Sequence, residues 1–363
     1  MIFKYAPIGF LLSTTLMWSG FPVSTHKDQV VAQTYLDTGE YTPIYPSDAP
    51  PPGKKPLPPE RLRQEVEYPE GDFRITSLQP DYTGDLWIGS WVGLSRINPH
   101  TGRLIARISL PNYRIGALAK DRMRRIWVGT YDGLVRVEPR TNEITAFNFT
   151  LPSNRVLSLL VDRRGYLWVG TDQGLALISP DQGLLMTTLQ NLPGVSANAL
   201  TLDDEGQLWV GTLKGLVRID TASAFILDRI SKIPGGVVQT LTLAPDGLLW
   251  AGTPNSLLVI DPKTGGILRS VTLMRGRNVT SVRFAADGSV WVGTDRGLLK
   301  IHADTGAILG SVLKLPSSQI LSLSPDTGNK LWIGTSEGLA WLSLTSGLVR
   351  PHFAFIRPES VEF

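Results

Sequence analysis

Short apolar runs separated by turn residues follow one another from about residue 73 to residue 357. Four such runs predict the strands of one unit: residues 156–161, 167–171, 175–178 and 184–189. The segments 162–165 and 172–174 end in glycine and predict tight turns, in which a positive φ is common. Because no run has a helical period, the pattern predicts an all-β chain.

This unit recurs at an even spacing that is marked by tryptophan. The marker residues are Trp87, Trp127, Trp168, Trp209, Trp250, Trp291 and Trp332, with one step of 40 residues followed by steps of 41. Each unit of about 41 residues is too small to bury its own apolar face, so neighbouring units must stack. Four strands in each of seven units predict a seven-bladed β-propeller with four antiparallel strands per blade.

A column of small residues ten positions before each tryptophan favours a closed ring over an open solenoid. The column consists of Ser77, Ala117, Ser158, Ala199, Thr240, Ser281 and Ser322. The innermost strands of a propeller converge on its axis, where side chains have the least room. The tryptophans themselves are expected between neighbouring blades, where losing one to alanine would cost about 3–5 kcal/mol.

The chain divides into four predicted segments. Residues 1–32 combine Lys4, an apolar run and a small-residue site near Ala32, which predicts an export signal, with an uncleaved membrane anchor as the alternative. Residues 33–70 are proline-rich and predict an irregular tether. The propeller is expected over residues 71–357, followed by a tail over 358–363. Either each blade is completed by its own strands, or residues 65–68 add a strand that latches blade 7.

Composition narrows the possible partners. The chain has 35 Lys and Arg against 32 Asp and Glu, for a formal net charge of +3, and we see no basic run. This mild bias argues against nucleic acid as a partner. The absence of cysteine excludes disulfides and thiolate metal sites. The histidines His26, His100, His302 and His352 have no ligand spacing, so we expect neither a metal nor a cofactor.

Aspartates recur just before the first turn of most units, at Asp81, Asp121, Asp162, Asp203 and Asp326. An aspartate at such a position accepts hydrogen bonds from the backbone of the turn that follows it. We therefore interpret this column as turn caps. Calcium binding is the alternative, and no oxygen-rich loop surrounds these residues to favour it.

The repeated pattern Leu-Trp-Ile/Val-Gly-Thr-x-x-Gly-Leu, followed by an apolar strand and Asp-Pro-x-Thr-Gly, resembles the two-component regulator propeller repeat. Residues 290–298 with Asp304, Thr305 and Gly306 carry the pattern, whereas the fifth unit departs from it at Pro254, Asn255 and Ser256. The resemblance spans about residues 73–350. It implies an extracytoplasmic binding module, since propellers of this family commonly form the sensor half of transmembrane histidine kinases. Lyases that open cyclic peptide lactones have a loosely similar repeat.

Candidate binding residues lie where the second and third strands of each blade meet and where each first strand begins. Both positions fall on one face of a propeller, whose function resides in its loops. Thirteen residues before the tryptophan, three consecutive blades carry arginine, whose planar group suits a carboxylate or phosphate. The candidate ligand-binding residues are Arg74, Arg114, Arg155, Trp91, Tyr113, Tyr131, Asp172, Lys214, Arg275, Arg277, Arg296 and Glu337.

Two interpretations of this arginine cluster remain open. It binds an anionic ligand, or its members pair with Glu70, Asp72, Asp132 or Asp172 and are merely solvated. We expect a non-catalytic, periplasmic or secreted binding propeller whose partner is an anionic small molecule or an envelope protein. The membrane would be met only through residues 1–32. A scaffold of an envelope complex is the alternative, and a lyase comes third, because His100 and His302 are expected on the opposite face from the arginines.

Overall fold

A computed structural model describes residues 72–110, 114–147, 149–179 and 181–356, within a compact unit that spans Val66–Phe363. In these ranges, seven antiparallel sheets follow one another, and each consists of four consecutive strands. The predicted seven-bladed, four-stranded propeller is therefore confirmed. The predicted signal or anchor (1–32), the tether (33–70) and the tail (358–363) lie outside the described residues.

The strands are numbered in chain order, four to a blade. Blade 1 contains β1 (Ile75–Pro80), β2 (Leu86–Ser90), β3 (Gly93–Ile97) and β4 (Leu104–Ile108). Blade 2 contains β5 (Ile115–Lys120), β6 (Ile126–Thr130), β7 (Gly133–Glu138) and β8 (Glu143–Phe147). Blade 3 contains β9 (Val156–Val161), β10 (Leu167–Thr171), β11 (Gly174–Ile178) and β12 (Leu185–Leu189). Blade 4 contains β13 (Ala199–Leu202), β14 (Leu208–Thr212), β15 (Gly215–Ile219) and β16 (Ile226–Ile230).

The last three blades follow the same order. Blade 5 contains β17 (Thr240–Leu243), β18 (Leu249–Gly252), β19 (Leu257–Ile260) and β20 (Ile267–Ser270). Blade 6 contains β21 (Val279–Phe284), β22 (Val290–Thr294), β23 (Gly297–Ile301) and β24 (Ile308–Val312). Blade 7 contains β25 (Ile320–Ser324), β26 (Lys330–Thr335), β27 (Gly338–Ser343) and β28 (Val349–Ile356). A short 3₁₀ helix, Thr272–Met274, precedes blade 6.

The tryptophans form the core between neighbouring blades, as predicted. Trp87 is fully buried and packs in one cluster with Leu118 and Val128 of blade 2. Trp168 packs in the same way with Leu208 and Val210 of blade 4. Each blade therefore depends on the next to cover its largest apolar side chain.

The glycine two residues after each tryptophan is required by close packing between blades. A Cβ atom on Gly89 would lie 2.7 Å from Cγ2 of Ile115, the first residue of the next blade. A Cβ atom on Gly211 would lie 2.8 Å from Cγ1 of Val238. These distances are shorter than a carbon–carbon contact, so a larger residue would push the blades apart.

The aspartate column caps turns in blades 1 to 4, as predicted, and it also binds the tryptophans. Asp81 Oδ1 accepts the backbone N–H of Thr83 and Asp85, while its Oδ2 accepts the indole N–H of Trp87 at 2.9 Å. The same indole bond recurs between Trp127 and Asp121. It also recurs in blades 3 and 4. The sequence pattern did not reveal this second role.

Blade 7 departs from the aspartate pattern. Asp326 has a left-handed backbone, with φ of 54°, and its Oδ2 accepts the backbone N–H of Ala286 in blade 6. The indole N–H of Trp332 instead donates to the backbone oxygen of Thr327 at 3.1 Å. The interpretation of Asp326 as a cap of its own turn is therefore wrong, because its positive φ turns the carboxylate towards the neighbouring blade.

The ring closes through the same contacts that join any two neighbouring blades. Ser158 Oγ donates to the backbone oxygen of Ala197 across blades 3 and 4, at 2.8 Å. Ser322 Oγ donates to the backbone oxygen of Ile75 across blades 7 and 1, at 2.9 Å. Trp332 completes the junction by packing with residues of blade 1. Within the described part of the chain, each blade is completed by its own strands, whereas residues 65–68 lie outside it.

The described ranges contain neither a membrane-spanning helix nor a cluster of metal ligands. No helix there has the length and apolar character needed to span a bilayer. No group of three or more His, Asp or Glu side chains in the same ranges is arranged to hold a metal ion.

Candidate functional site

One face of the ring is formed by the turns between second and third strands and by the residues that enter the first strands. We call it the mouth face. In blade 1, Trp91 donates its backbone N–H to the backbone oxygen of Arg74, at 3.1 Å. Tyr131 and Arg114 are joined in the same way in blade 2, at 2.9 Å. The residues that enter the first strand and the residues at the turn tip, which the sequence placed on one face, are therefore neighbours within these blades.

The Gly-Thr and Gly-Leu residues that flank each turn hold its backbone. Thr130 Oγ1 donates to the backbone oxygen of Gly133 and accepts the backbone N–H of Asp132. Gly133 has a φ of 130°, which favours glycine. Because threonine and glycine hold the backbone of the loop, the turn itself does not dictate which side chains stand at its tip. The tip residues can therefore differ between blades.

Five predicted site residues form one continuous stack across blades 1 to 3. The guanidinium carbon of Arg74 lies 4.4 Å from the centre of the Trp91 ring, and that of Arg114 lies 5.2 Å from it. Trp91 meets Tyr131 edge to face, with ring centres 5.7 Å apart. The guanidinium carbon of Arg155 lies 4.7 Å from the centre of the Tyr131 ring. We call Arg74, Trp91, Arg114, Tyr131 and Arg155 the arginine ladder.

The ladder crosses blade boundaries in a regular way. Arg114 of blade 2 stacks on the tip of blade 1, and Arg155 of blade 3 stacks on the tip of blade 2. Cation–π contacts of this kind hold a guanidinium group in place while leaving its N–H groups available at the edge. The three arginines are exposed, whereas Trp91 and Tyr131 are half-buried.

Only one arginine of the ladder has an acidic partner in the described residues. Arg74 Nε lies 3.2 Å from Asp72 Oδ2, in a pair that is exposed to solvent. No ion pair joins Arg114 or Arg155 to a described residue, and Asp172 meets Arg155 only through a backbone hydrogen bond. Glu70, the other proposed partner, lies outside the described residues. Among the described residues, an acidic neighbour therefore offsets the charge of Arg74, and none does so for Arg114 or Arg155.

Several polar atoms of the mouth face are buried without a hydrogen-bond partner. The indole N–H of Trp91 is one of them. The others are Asp172 Oδ1, Ser196 Oγ, Asn278 Oδ1 and Asp295 Oδ1, which belong to blades 3, 4 and 6. Trp91 and Asp172 were predicted as site residues, whereas Ser196 and Asn278 occupy, in their own blades, the position of the ladder arginines. Buried polar atoms without partners are costly.

The remaining predicted residues do not join the ladder. Lys214, Arg296 and Glu337 are exposed at the tips of blades 4, 6 and 7, where their backbone N–H groups donate to the flanking threonines. Arg275 is exposed and Arg277 is half-buried, next to the 3₁₀ helix. No contact with the ladder is made by any of these five within the ranges described. Tyr113 lies outside those ranges.

The three histidines within the described residues lie away from the ladder. His302 is in the turn between β23 and β24, on the face opposite the mouth, and its Nδ1 lies 3.9 Å from Asp304 Oδ2. His100 is in the corresponding turn of blade 1. His352 is buried on β28 and forms a hydrogen bond through Nε2 with the backbone oxygen of Gly102. The predicted placement of His100 and His302 is confirmed by the strand order.

The fold and these contacts define a seven-bladed β-propeller with an arginine-rich and aromatic mouth. Its repeats match the family model described as "Two component regulator propeller" at residues 109–132, 150–173 and 191–214. The matched segments include the arginine column and the tip residues of blades 2 and 3. Three repeats of this chain are therefore similar to the two component regulator propeller repeat.

Solved structures share this fold at low sequence identity. The extracellular domain of a hybrid two component system, BT3049 from B. thetaiotaomicron, aligns with a TM-score of 0.64 and 19% identity over 75% of this chain and 40% of that one. The corresponding domain of BT4673 from the same organism aligns with a TM-score of 0.63 and 20% identity. That alignment covers 74% of this chain and 39% of the other. This chain thus spans about 40% of the length of those two domains.

An enzyme shares the same architecture. A catalytically inactive histidine-to-alanine variant of virginiamycin B lyase from Staphylococcus aureus, with quinupristin, aligns with a TM-score of 0.63 and 18% identity. The alignment covers 75% of this chain and 95% of the lyase. No curated protein sequence matches this chain. At such identities the structural likeness establishes the fold and leaves the activity to be argued from the site.

Proposed function

We propose that this protein is a non-catalytic, extracytoplasmic sensor-type propeller whose arginine ladder binds an anionic ligand. The observation that carries the proposal is the alignment of three guanidinium groups on two aromatic rings, of which only Arg74 has an acidic partner in the described residues. Like charges held close together repel each other, and a bound anion relieves that repulsion. The extracellular domains with the same fold support placing the site outside the cytoplasm.

The ladder favours a carboxylate that is attached to an aromatic or apolar group. The planar guanidinium groups of Arg114 and Arg155 can each donate two parallel hydrogen bonds to a carboxylate. The Trp91 and Tyr131 rings offer an apolar surface beside those donors. A small aromatic carboxylate such as benzoate would use both features.

Calorimetric titration with benzoate and with benzamide, its neutral isostere, tests this proposal. We expect saturable binding of benzoate, no measurable binding of benzamide, and at least tenfold weaker benzoate binding by the double variant R114Q/R155Q. A tenfold loss corresponds to about 1.4 kcal/mol, which is less than the contribution of two charge-assisted hydrogen bonds. Arg350→Gln is the matched control, because Arg350 is exposed on β28, away from the ladder.

Unchanged benzoate affinity in R114Q/R155Q, or equal binding of benzamide, would overturn the proposal. Circular dichroism of each variant checks that the propeller has folded. Since all three ladder arginines are exposed, we expect these substitutions to change stability by less than about 0.5 kcal/mol.

A lyase activity has less support from the site. A general acid or base must come within hydrogen-bond reach of the reacting group, and the described histidines lie on the opposite face or are buried on β28. The guanidinium groups of the ladder stay protonated at neutral pH, so they do not act as a general acid or base. These features favour binding over catalysis at the mouth.

A scaffold role is the second candidate, and one observation favours it. Large apolar side chains are exposed on or beside the outermost strands of several blades, among them Phe147, Phe225, Leu313 and Phe353. Exposed apolar groups of this size are typical of surfaces that meet another protein when they are contiguous. Cross-linking of the native envelope followed by mass spectrometry would test it: cross-links confined to the outer strands would support the scaffold, and their absence would contradict it.

A further inference from the structure

The central channel contains a cavity that lies along the first strands of the blades. The first strands of the seven blades surround it, and it has a volume of about 290 Å³. Its lining consists of hydroxyl, amide and aliphatic groups, such as those of Thr76, Asn198, Gln239 and Leu321. Among the lining residues, Arg283 of β21 carries the only charge.

Arg283 is largely unsatisfied within this cavity. Its Nη1 donates to the backbone oxygen of its own neighbour, Val282, at 2.8 Å. No other described residue accepts a hydrogen bond from it, and no ion pair neutralises it. The side chain of Arg283 is exposed to the channel, and the protein around it removes part of its hydration, which lowers the pKa of the Arg283 guanidinium from its ordinary value.

The blade architecture does not require a cation at this position. The equivalent residues of the other blades, eight positions before the tryptophan, are Gln79, Ala119, Leu160, Thr201, Thr242 and Ser324. Six blades of the same ring therefore form without a charge there. Because no acidic side chain lines the cavity, the positive charge of Arg283 is not offset there and attracts an anion.

The position of Arg283 separates it from the arginine ladder. The ladder arginines lie thirteen residues before the tryptophan of their blades, and Arg283 lies eight before its own. Five residues of strand correspond to about 16 Å along the axis at roughly 3.3 Å per residue. Direct contacts of a ligand at the mouth therefore do not explain Arg283.

We propose that Arg283 and the polar channel wall form a second, internal binding site for a small oxyanion, either a carboxylate of the size of formate or acetate or an inorganic phosphate. The guanidinium group donates two parallel N–H groups to two oxygens of one anion, which is the geometry that arginine favours. The cavity lies just below the range of about 300–1,000 Å³ that is usual for drug-sized ligands, so the occupant must be small.

Saturation-transfer NMR with formate and calorimetry with phosphate, both at constant ionic strength, test this proposal. We expect saturable binding of at least one of these anions to the wild-type protein. Arg283→Thr should reduce the affinity for that anion at least tenfold, and Arg283→Lys should give an intermediate loss, because lysine keeps the charge without the planar fork. Threonine is already accommodated at this position in blades 4 and 5, so the first variant is expected to fold.

The triple variant R74Q/R114Q/R155Q is the matched control, since it removes three arginines from the mouth and leaves the channel intact. It should keep saturable binding of the small anion in the channel, whereas R283T should keep benzoate binding at the mouth. Equal affinity of R283T and the wild type would overturn the internal site. Saturable binding of neither formate nor phosphate to the wild type would overturn it as well.

Discussion

The indole N–H of Trp291 is buried without a hydrogen-bond partner among the described residues. In blades 1 to 4 an aspartate six residues before the tryptophan accepts this hydrogen bond. Blade 6 has Ala285 at that position, although its turn keeps the backbone hydrogen bonds of the other blades. Blade 6 therefore differs from blades 1 to 4 in lacking the carboxylate that accepts the indole N–H.

Ala285→Asp is therefore expected to stabilise the protein. The carboxylate would accept the Trp291 indole N–H and cap the following turn, and Lys300, which lies 5.3 Å from the centre of the Trp291 ring, would offset its charge. We expect a gain of about 1 kcal/mol in the free energy of unfolding, measured by chemical denaturation. Ala286→Asp, at the exposed neighbouring position, adds the same charge and should give no gain. A loss of stability in A285D would contradict this account of the aspartate column.

Contacts between strands of neighbouring blades set which residues each strand can contain. A Cβ atom on Gly334 of β26 would lie 2.5 Å from the backbone oxygen of Ile75 in blade 1. A Cβ atom on Gly310 of β24 would have no neighbouring atom within 4 Å. Two glycines in strands of neighbouring blades therefore have very different tolerance for a methyl group.

Gly334→Ala is expected to destabilise the protein by about 1–3 kcal/mol, because the added methyl group forces blades 7 and 1 apart. Gly310→Ala, on the outermost strand of blade 6, is the matched control and should change the free energy of unfolding by less than about 0.5 kcal/mol. Denaturant titrations of both variants measure the difference. Equal free energies of unfolding for the two variants would contradict this expectation, because the junction between blades 7 and 1 would then accommodate the methyl group without a loss of stability.

The sequence predicts elements better than it predicts contacts between them. The tryptophan spacing predicted the number of blades, and the column of small residues predicted the closed ring. Both features can be predicted because they follow from the repeat itself. The bond between Asp162 and Trp168 was missed, since it crosses a hairpin and leaves the same turn signal as a simple cap. The stacking of Arg114 on Trp91 was missed because it joins two blades, and a sequence pattern does not give the distance between side chains of different blades.

The chemistry of the site was predictable only in part for the same reason. Three consecutive arginines in one column indicated a cluster, and the structure brings all three into contact with two rings. Lys214, Arg296 and Glu337 share the face but not the ladder, since each tip projects from its own blade. Arg283 gave no signal in the repeat, because one charge in a column of otherwise neutral residues forms no pattern.

At the scale of the whole molecule, the ring has one junction between the first and last blades. His352 of β28 lies in it, buried, with Nε2 2.6 Å from the backbone oxygen of Gly102 in blade 1. Ala354 donates its backbone N–H to Nδ1 of the same ring, so Nε2 carries the proton. Burial lowers the pKa of His352 below its ordinary value of 6.5, and the nearby charge of Arg107 lowers it further.

The stability of the ring should therefore decrease as the pH falls below about 6.5. A histidine with a lowered pKa in the folded state binds protons more readily when unfolded, so its contribution is complete above the unfolded pKa and is lost towards lower pH. His352→Gln can donate the same hydrogen bond to Gly102 without titrating. We expect the melting temperature of the wild type to fall more between pH 7 and pH 5 than that of H352Q. Parallel pH profiles for the two proteins would contradict this role.

The central claim is that the arginine ladder of the mouth face is where the protein binds its anionic ligand. The most direct measurement is a crystal structure grown with 4-bromobenzoate, in which anomalous scattering from bromine locates the probe. The account predicts a bromine peak beside Trp91 and Tyr131, with the carboxylate within hydrogen-bond distance of Arg114 and Arg155. If bromine peaks appear only elsewhere and no probe is bound at the ladder, the central claim is contradicted.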